Sequence, residues 1–143
     1  MSVADNREIA RRFVEEVWGR GDFALEAELL AVNMREHTPG PGCTPDRDGH
    51  HQLLAGIHAA YSEIRFTLDD VVVEGEMAAD RWTMHAVHTG IFGGIPPTGK
   101  RVTITGMDVM RIIDGKIVDL WHLEDQLGLL QQLGVIPGPA PAG

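Results

Sequence analysis

A chain of 143 residues, 43% of them hydrophobic, can bury a core, and a formal net charge of −9 argues against a nucleic-acid partner or an anionic membrane surface. Cys43 is the single cysteine, which excludes an internal disulfide, and no apolar run approaches the ~20 residues that cross a bilayer. The charged start MSVADNREIARRF lacks the apolar centre of a signal peptide, so a soluble, cytoplasmic protein is expected.

Ile9, Phe13 and Val17 repeat at i, i+4 and i+8, with Ala10, Val14 and Trp18 widening the stripe. This spacing predicts a first helix that Gly19 and Gly21 stop. Asp22 caps a second helix carrying Leu25, Leu29 and Leu30. The loop HTPGPG, from His37 to Gly42, follows. A third helix opens near Asp46 with Leu53, Leu54, Ile57 and Tyr61 at helical spacing.

From Ile64 the period changes. Arg65–Glu74, Arg81–Phe92, Lys100–Ile113 and Lys116–Leu123 are rich in β-branched and aromatic residues and read as strands. The joins at Gly75-Glu76, residues 93–99 and Asp114-Gly115 are short, so successive strands run antiparallel. Asp125–Leu133 forms a last amphipathic helix ended by Gly134. Residues 1–136 are thus expected to be one α+β domain, with three N-terminal helices on a curved antiparallel sheet. Residues 137–143, PGPAPAG, read as a loose tail.

Two polar residues stand in strands where apolar ones are expected: Asp108 in TGMDVMRI and His122 in VDLWHLED. Each alone is costly to bury, whereas a carboxylate beside an imidazole satisfies both and poises a proton acceptor near neutral pH. A strict two-residue Asp114-Gly115 turn would put Asp108 opposite Trp121 and send His122 to the other face. A three-residue loop with Gly115 left-handed makes the two diagonal neighbours on one face, and this register is adopted.

Other side chains are weaker candidates. Asp125 opens the last helix, as a cap or as an activator of water. His37 leaves the helical half beside Pro39, as cavity lining or as loop. Trp82, Met84 and His88 share one strand face and His85 the other, so the H-x-x-H string is not a metal site. Met84 and Met110, with Met34 and Met107, either line an adaptable pocket or fill core. His50-His51 open a helix as solvated residues, and no metal is assigned. Arg111 and Asp119 are placed as an exposed cross-strand ion pair.

The strings FVEEVWGRGD, HTGIFGGIPPTGKRV, MRIIDGKIVDLW and LGLLQQLG, spread between Asn6 and Gly134, resemble the SnoaL-like polyketide cyclases of the nuclear-transport-factor-2-like superfamily. The resemblance implies a cone-shaped α+β fold enclosing a pocket. In that family a carboxylate on the last strand acts as general base, with a His on the preceding strand beside it. The matching positions here are His122 and Asp108, the same residue types exchanged. A cofactor-free, aldol-type ring closure on a polyketide-like substrate is therefore expected, with His122 as base and Asp108 orienting it. A homodimer through the outer sheet face, which carries Thr103, Thr105 and Trp121, is also implied. Two alternatives stand beside this reading. One is an epoxide hydrolase, hydratase, dehydratase or isomerase in which Asp108, His122 and Asp125 activate water. The other is a non-catalytic small-molecule binder, favoured if Asp108 and His122 are not within hydrogen-bond reach or are sealed from the cavity.

Overall fold

In the computed structural model, which describes residues 2–138, the Ser2 side chain caps helix α1 (Val3–Arg12) and pairs with Asp5 in a capping box. The helix runs on as a wider π-helical turn, Phe13–Trp18, and the whole stripe Ile9, Ala10, Phe13, Val14 and Val17 is buried. Asp22 caps α2 (Phe23–Leu29) through the Leu25 N–H at 3.0 Å, and Asp46 caps α3 (Arg47–Ala60) through the Gly49 N–H at the same distance. Such caps stabilise each helix by about 1 kcal/mol. Burial of Phe13, Leu54 and Leu120 contributes about 1.5–3 kcal/mol apiece, so the apolar face decides the packing.

Five strands follow the order β1-β5-β4-β3-β2: β1 (Leu30–Glu36), β2 (Tyr61–Glu74), β3 (Met77–His88), β4 (Arg101–Ile113) and β5 (Lys116–Glu124). Strand β1 is absent from the sequence expectation. It follows α2 without a loop, and it pairs with β5 in parallel, so the sheet is mixed rather than wholly antiparallel. Tyr61, expected at the end of α3, instead opens β2. Register shifts within β2 and between β4 and β5 mark bulges, and bulges bend strands into the curvature that makes a cone. Helix α4 (Gln126–Gln132) closes the described chain; of the expected tail, residues 139–143 lie outside the described residues.

The β4–β5 hairpin sets the site. Asp114 (φ 50°) and Gly115 (φ 77°) form a strict two-residue turn between Ile113 and Lys116, with both central residues left-handed. The three-residue loop expected from the sequence is therefore incorrect. What moves the register is a bulge: Ile112 faces Ile117 while Arg111 faces Asp119, so Val118 is the extra residue. One inserted residue turns every later β5 side chain to the opposite face, and Asp108 comes directly opposite His122.

Candidate active site

Four polar side chains form a row across the inner face of the sheet. Asp80 on β3 faces Asp108 on β4, which faces His122 on β5. Glu36 on β1 completes the row, its Oε1 lying 3.2 Å from His122 Nδ1. Asp80, Asp108 and Glu36 are all buried. The Thr38 hydroxyl donates to Glu36 Oε1 at 3.0 Å and accepts the His122 backbone N–H at 2.7 Å, locking Glu36 and the imidazole together. A carboxylate can only accept, so Nδ1 carries the proton and Nε2 is left without a partner among the described residues.

The carboxylate hydrogen-bonded to His122 is thus Glu36, not Asp108 as the sequence suggested. Asp108 and His122 make no hydrogen bond to one another, yet both face the same cavity. No sequence pattern marks Glu36, because none marks the strand β1 that carries it. Asp80 had a legible signal, since it shares strand parity with Trp82 and Met84, and a carboxylate on an apolar face is conspicuous.

Burial pushes the Asp108 carboxyl well above the usual carboxylate range, and the Asp80 charge adds to the rise, while His122 opposes it. Burial likewise raises Asp80, to about 6, against a lowering influence of the facing Asp108. Two buried carboxyls facing one another cannot both ionise freely, so the pair keeps a proton to higher pH than an ordinary carboxylate does. Burial alone would lower His122, but the hydrogen bond and charge of Glu36 outweigh it, with Asp108 and Glu124 adding, and the imidazole is raised overall.

Above this row the inner face and the helices enclose a cavity of about 40 Å³, walled by Phe13, Trp18, Phe66, Trp82, Met84 and Ile104. It adjoins an outer groove of about 830 Å³ bordered by Pro39, Pro41, Leu53 and Ile91. His122, Glu124, Ile57, Phe92 and Leu129 belong to both, so His122 stands at the threshold. Gly106 makes room for the Trp82 indole: a Cβ there would lie 2.2 Å from Trp82 Cζ2. An apolar pocket with a few placed polar groups suits a small, largely apolar ligand.

The other candidates separate. Trp82 and Met84 line the inner cavity. Asp125 borders the outer groove but is engaged as the cap of α4, accepting the Gly128 N–H at 2.9 Å. His37 does not line the cavity; it stacks on Trp121 at 4.3 Å and bonds Asp119 at 2.8 Å. His88 is wholly buried behind the wall, where Nδ1 accepts the Thr98 N–H at 3.2 Å and so anchors the 93–99 segment. Met110 is fully buried core rather than pocket, as is Met34, while Met107 points outward. Arg111 and Asp119 do pair, at 3.5 Å. His50 is not solvated: it is buried, with Nδ1 2.6 Å from Glu26 Oε2.

Residues 8–133 match the family described as SnoaL-like polyketide cyclase. The chain belongs to that family. The cyclase fold is shared with TsrD from Streptomyces laurentii, at a TM-score of 0.84 and 28% identity over 95% of this chain and 99% of that one. Aklanonic acid methyl ester cyclase DnrD of Streptomyces peucetius is 30% identical over 145 residues, spanning 95% of this chain and 94% of the relative. Nogalonic acid methyl ester cyclase of Streptomyces nogalater is 35% identical over 85 residues, covering 58% of this SnoaL-like chain and 63% of its own length. No helix among the described residues of this cyclase-family chain is long and apolar enough to cross a membrane.

Proposed function

We propose that this chain closes a ring in a polyketide-derived methyl ester by an aldol reaction, with His122 as base and Asp108 as acid. The observation that carries the reading is His122 at the cavity threshold, with Nδ1 fixed by Glu36, Nε2 unpartnered among the described residues, and Asp108 directly opposite with its carboxyl raised by burial. Nε2 takes a proton from the carbon next to the ester carbonyl, and the enolate carbon attacks a ketone of the same molecule. The C–C bond forms, and the ketone oxygen takes the Asp108 proton. Asp108 is then a carboxylate against Asp80, a pairing that burial disfavours, so it recovers a proton from the imidazolium and the site resets. The ester delocalises the enolate, and no cofactor enters these steps.

Such a closure is an isomerisation. Incubating the protein with the methyl ester named for either cyclase relative should yield a product of unchanged mass with one ketone fewer. A product heavier by one water would instead mark hydrolysis or hydration.

The reading extends to assembly and place. Residues 1–136 work as one domain. The outer face carries Met107 (60% exposed) and Val109 (38% exposed), the latter beside Trp121, and this apolar strip supports a homodimer through the sheet. The lone Cys43 fits a reducing cytoplasm.

A further inference from the structure

Glu26 on α2 holds two imidazoles of α3, His50 at 2.6 Å and His51 at 2.7 Å, both through Nδ1. As a clip between two helices this accounts for both Nδ1 atoms and for the buried carboxylate. It does not account for the other nitrogen of His50. That side chain is 1% exposed, its Nε2 is buried with no hydrogen-bond partner, and the residue forms part of the inner cavity wall. The ring is held from both sides, 5.4 Å from Phe13 and 5.2 Å from Trp18 between centroids. An unpaired buried nitrogen is costly, and this one belongs to a ring fixed in the cavity wall, whose helical side, Phe13, Val14, Trp18 and Ile57, is otherwise apolar.

With Nδ1–H committed to Glu26, Nε2 of the neutral ring is a lone-pair acceptor, so it fits a ligand group that donates. A cavity of about 40 Å³ exceeds the ~10–15 Å³ needed for one water, which leaves space for a hydroxyl on the part of a ligand that enters first. We propose that His50, held by Glu26, is a specificity-determining residue that accepts a hydrogen bond from a phenolic or alcoholic hydroxyl of the substrate. The idea rests on the cyclase reading for the identity of that substrate, and narrows it to molecules hydroxylated on the ring lodged in the inner cavity. His50 on the helical wall and the Asp108–His122 pair on the sheet wall then fix the ligand from two sides.

The test needs no turnover. Protein labelled with ¹⁵N-histidine is titrated with 2-naphthol and with naphthalene, which differ by one hydroxyl, while the side-chain nitrogens are followed by NMR. 2-Naphthol should bind about tenfold more tightly, the worth of one good hydrogen bond, and should move the His50 Nε2 resonance, while naphthalene leaves that resonance in place. His50→Phe should bind naphthalene and lose the preference, and the wild-type titration stands even if this variant does not fold. Equal affinities, or naphthol binding that leaves the His50 resonance unmoved, would overturn the proposal. Absence of ring closure with the hydroxyl preference intact would remove the cyclase reading and leave this one standing.

Discussion

Asp80 and Asp108 sit directly opposite one another across β3 and β4, two buried carboxyls both raised above the usual carboxylate range. Both oxygens of Asp80 are sealed, whereas Asp108 faces the cavity. In the proposed cyclisation Asp80 is the neighbour that favours a protonated Asp108, and Asp108 serves as the acid.

This pair should weigh against the fold at neutral pH. Asp80 has a folded pKa of about 6 against an ordinary 3.8, and Asp108 is also raised. A raised carboxyl contributes stability that is full below pH 3.8 and is lost as pH rises through the folded value. Asp80→Asn should therefore stabilise the protein at pH 8 by about 1–3 kcal/mol, seen as a higher Tm, and the gain should vanish near pH 4. An equal shift at both pH values would mean that the charge is not the cause.

The same variant should alter the pH–rate profile. Without the Asp80 charge, Asp108 releases its proton at lower pH, and the alkaline limb should move down. Glu36→Gln removes the carboxylate that raises His122, so the acid limb should also move down, because less alkali is needed to free the base.

Within the Glu36–His122 unit, His122→Ala should lower turnover by about 10²–10⁴. Glu36→Gln should cost less, and the double variant should be scarcely worse than His122→Ala, since a base and its orienting group act together. Steady-state kinetics on the three variants with the substrate proposed above check this.

Gly106→Ala tests the cavity wall. The new methyl meets Trp82 Cζ2, so the indole must shift, at a cost of about 1–3 kcal/mol. Tryptophan fluorescence should change and substrate affinity should fall, while the variant stays folded.

For the proposed dimer, Met107→Lys together with Val109→Lys should convert the species seen by sedimentation from dimer to monomer at micromolar concentration. A wild-type monomer under the same conditions removes the dimer.

The sequence revealed most of the elements through simple periodicities: the Ile9–Val17 stripe, the Asp22, Asp46 and Asp125 caps, and four strands between turns. Strand β1 was hidden because AVNMRE carries little alternation and joins α2 directly, and its loss took Glu36 with it. The Asp108–His122 juxtaposition followed from a chemical demand, that a buried polar residue needs company. The turn inferred to satisfy that demand was wrong, since a bulge at Val118 leaves no mark in a β-branched strand. The burial of His50 depends on Glu26, 24 positions away, which no local pattern reveals.

Proton exchange separates the two central roles most directly. The substrate is incubated in D₂O, and deuterium uptake at the carbon beside the ester is followed alongside ring closure. With His122 as base and Asp108 as acid, His122→Ala should abolish both, whereas Asp108→Asn should still exchange that proton but close the ring at least about 10²-fold more slowly. Exchange that survives in His122→Ala and disappears in Asp108→Asn would contradict the account, making the carboxylate the base and the imidazole its assistant.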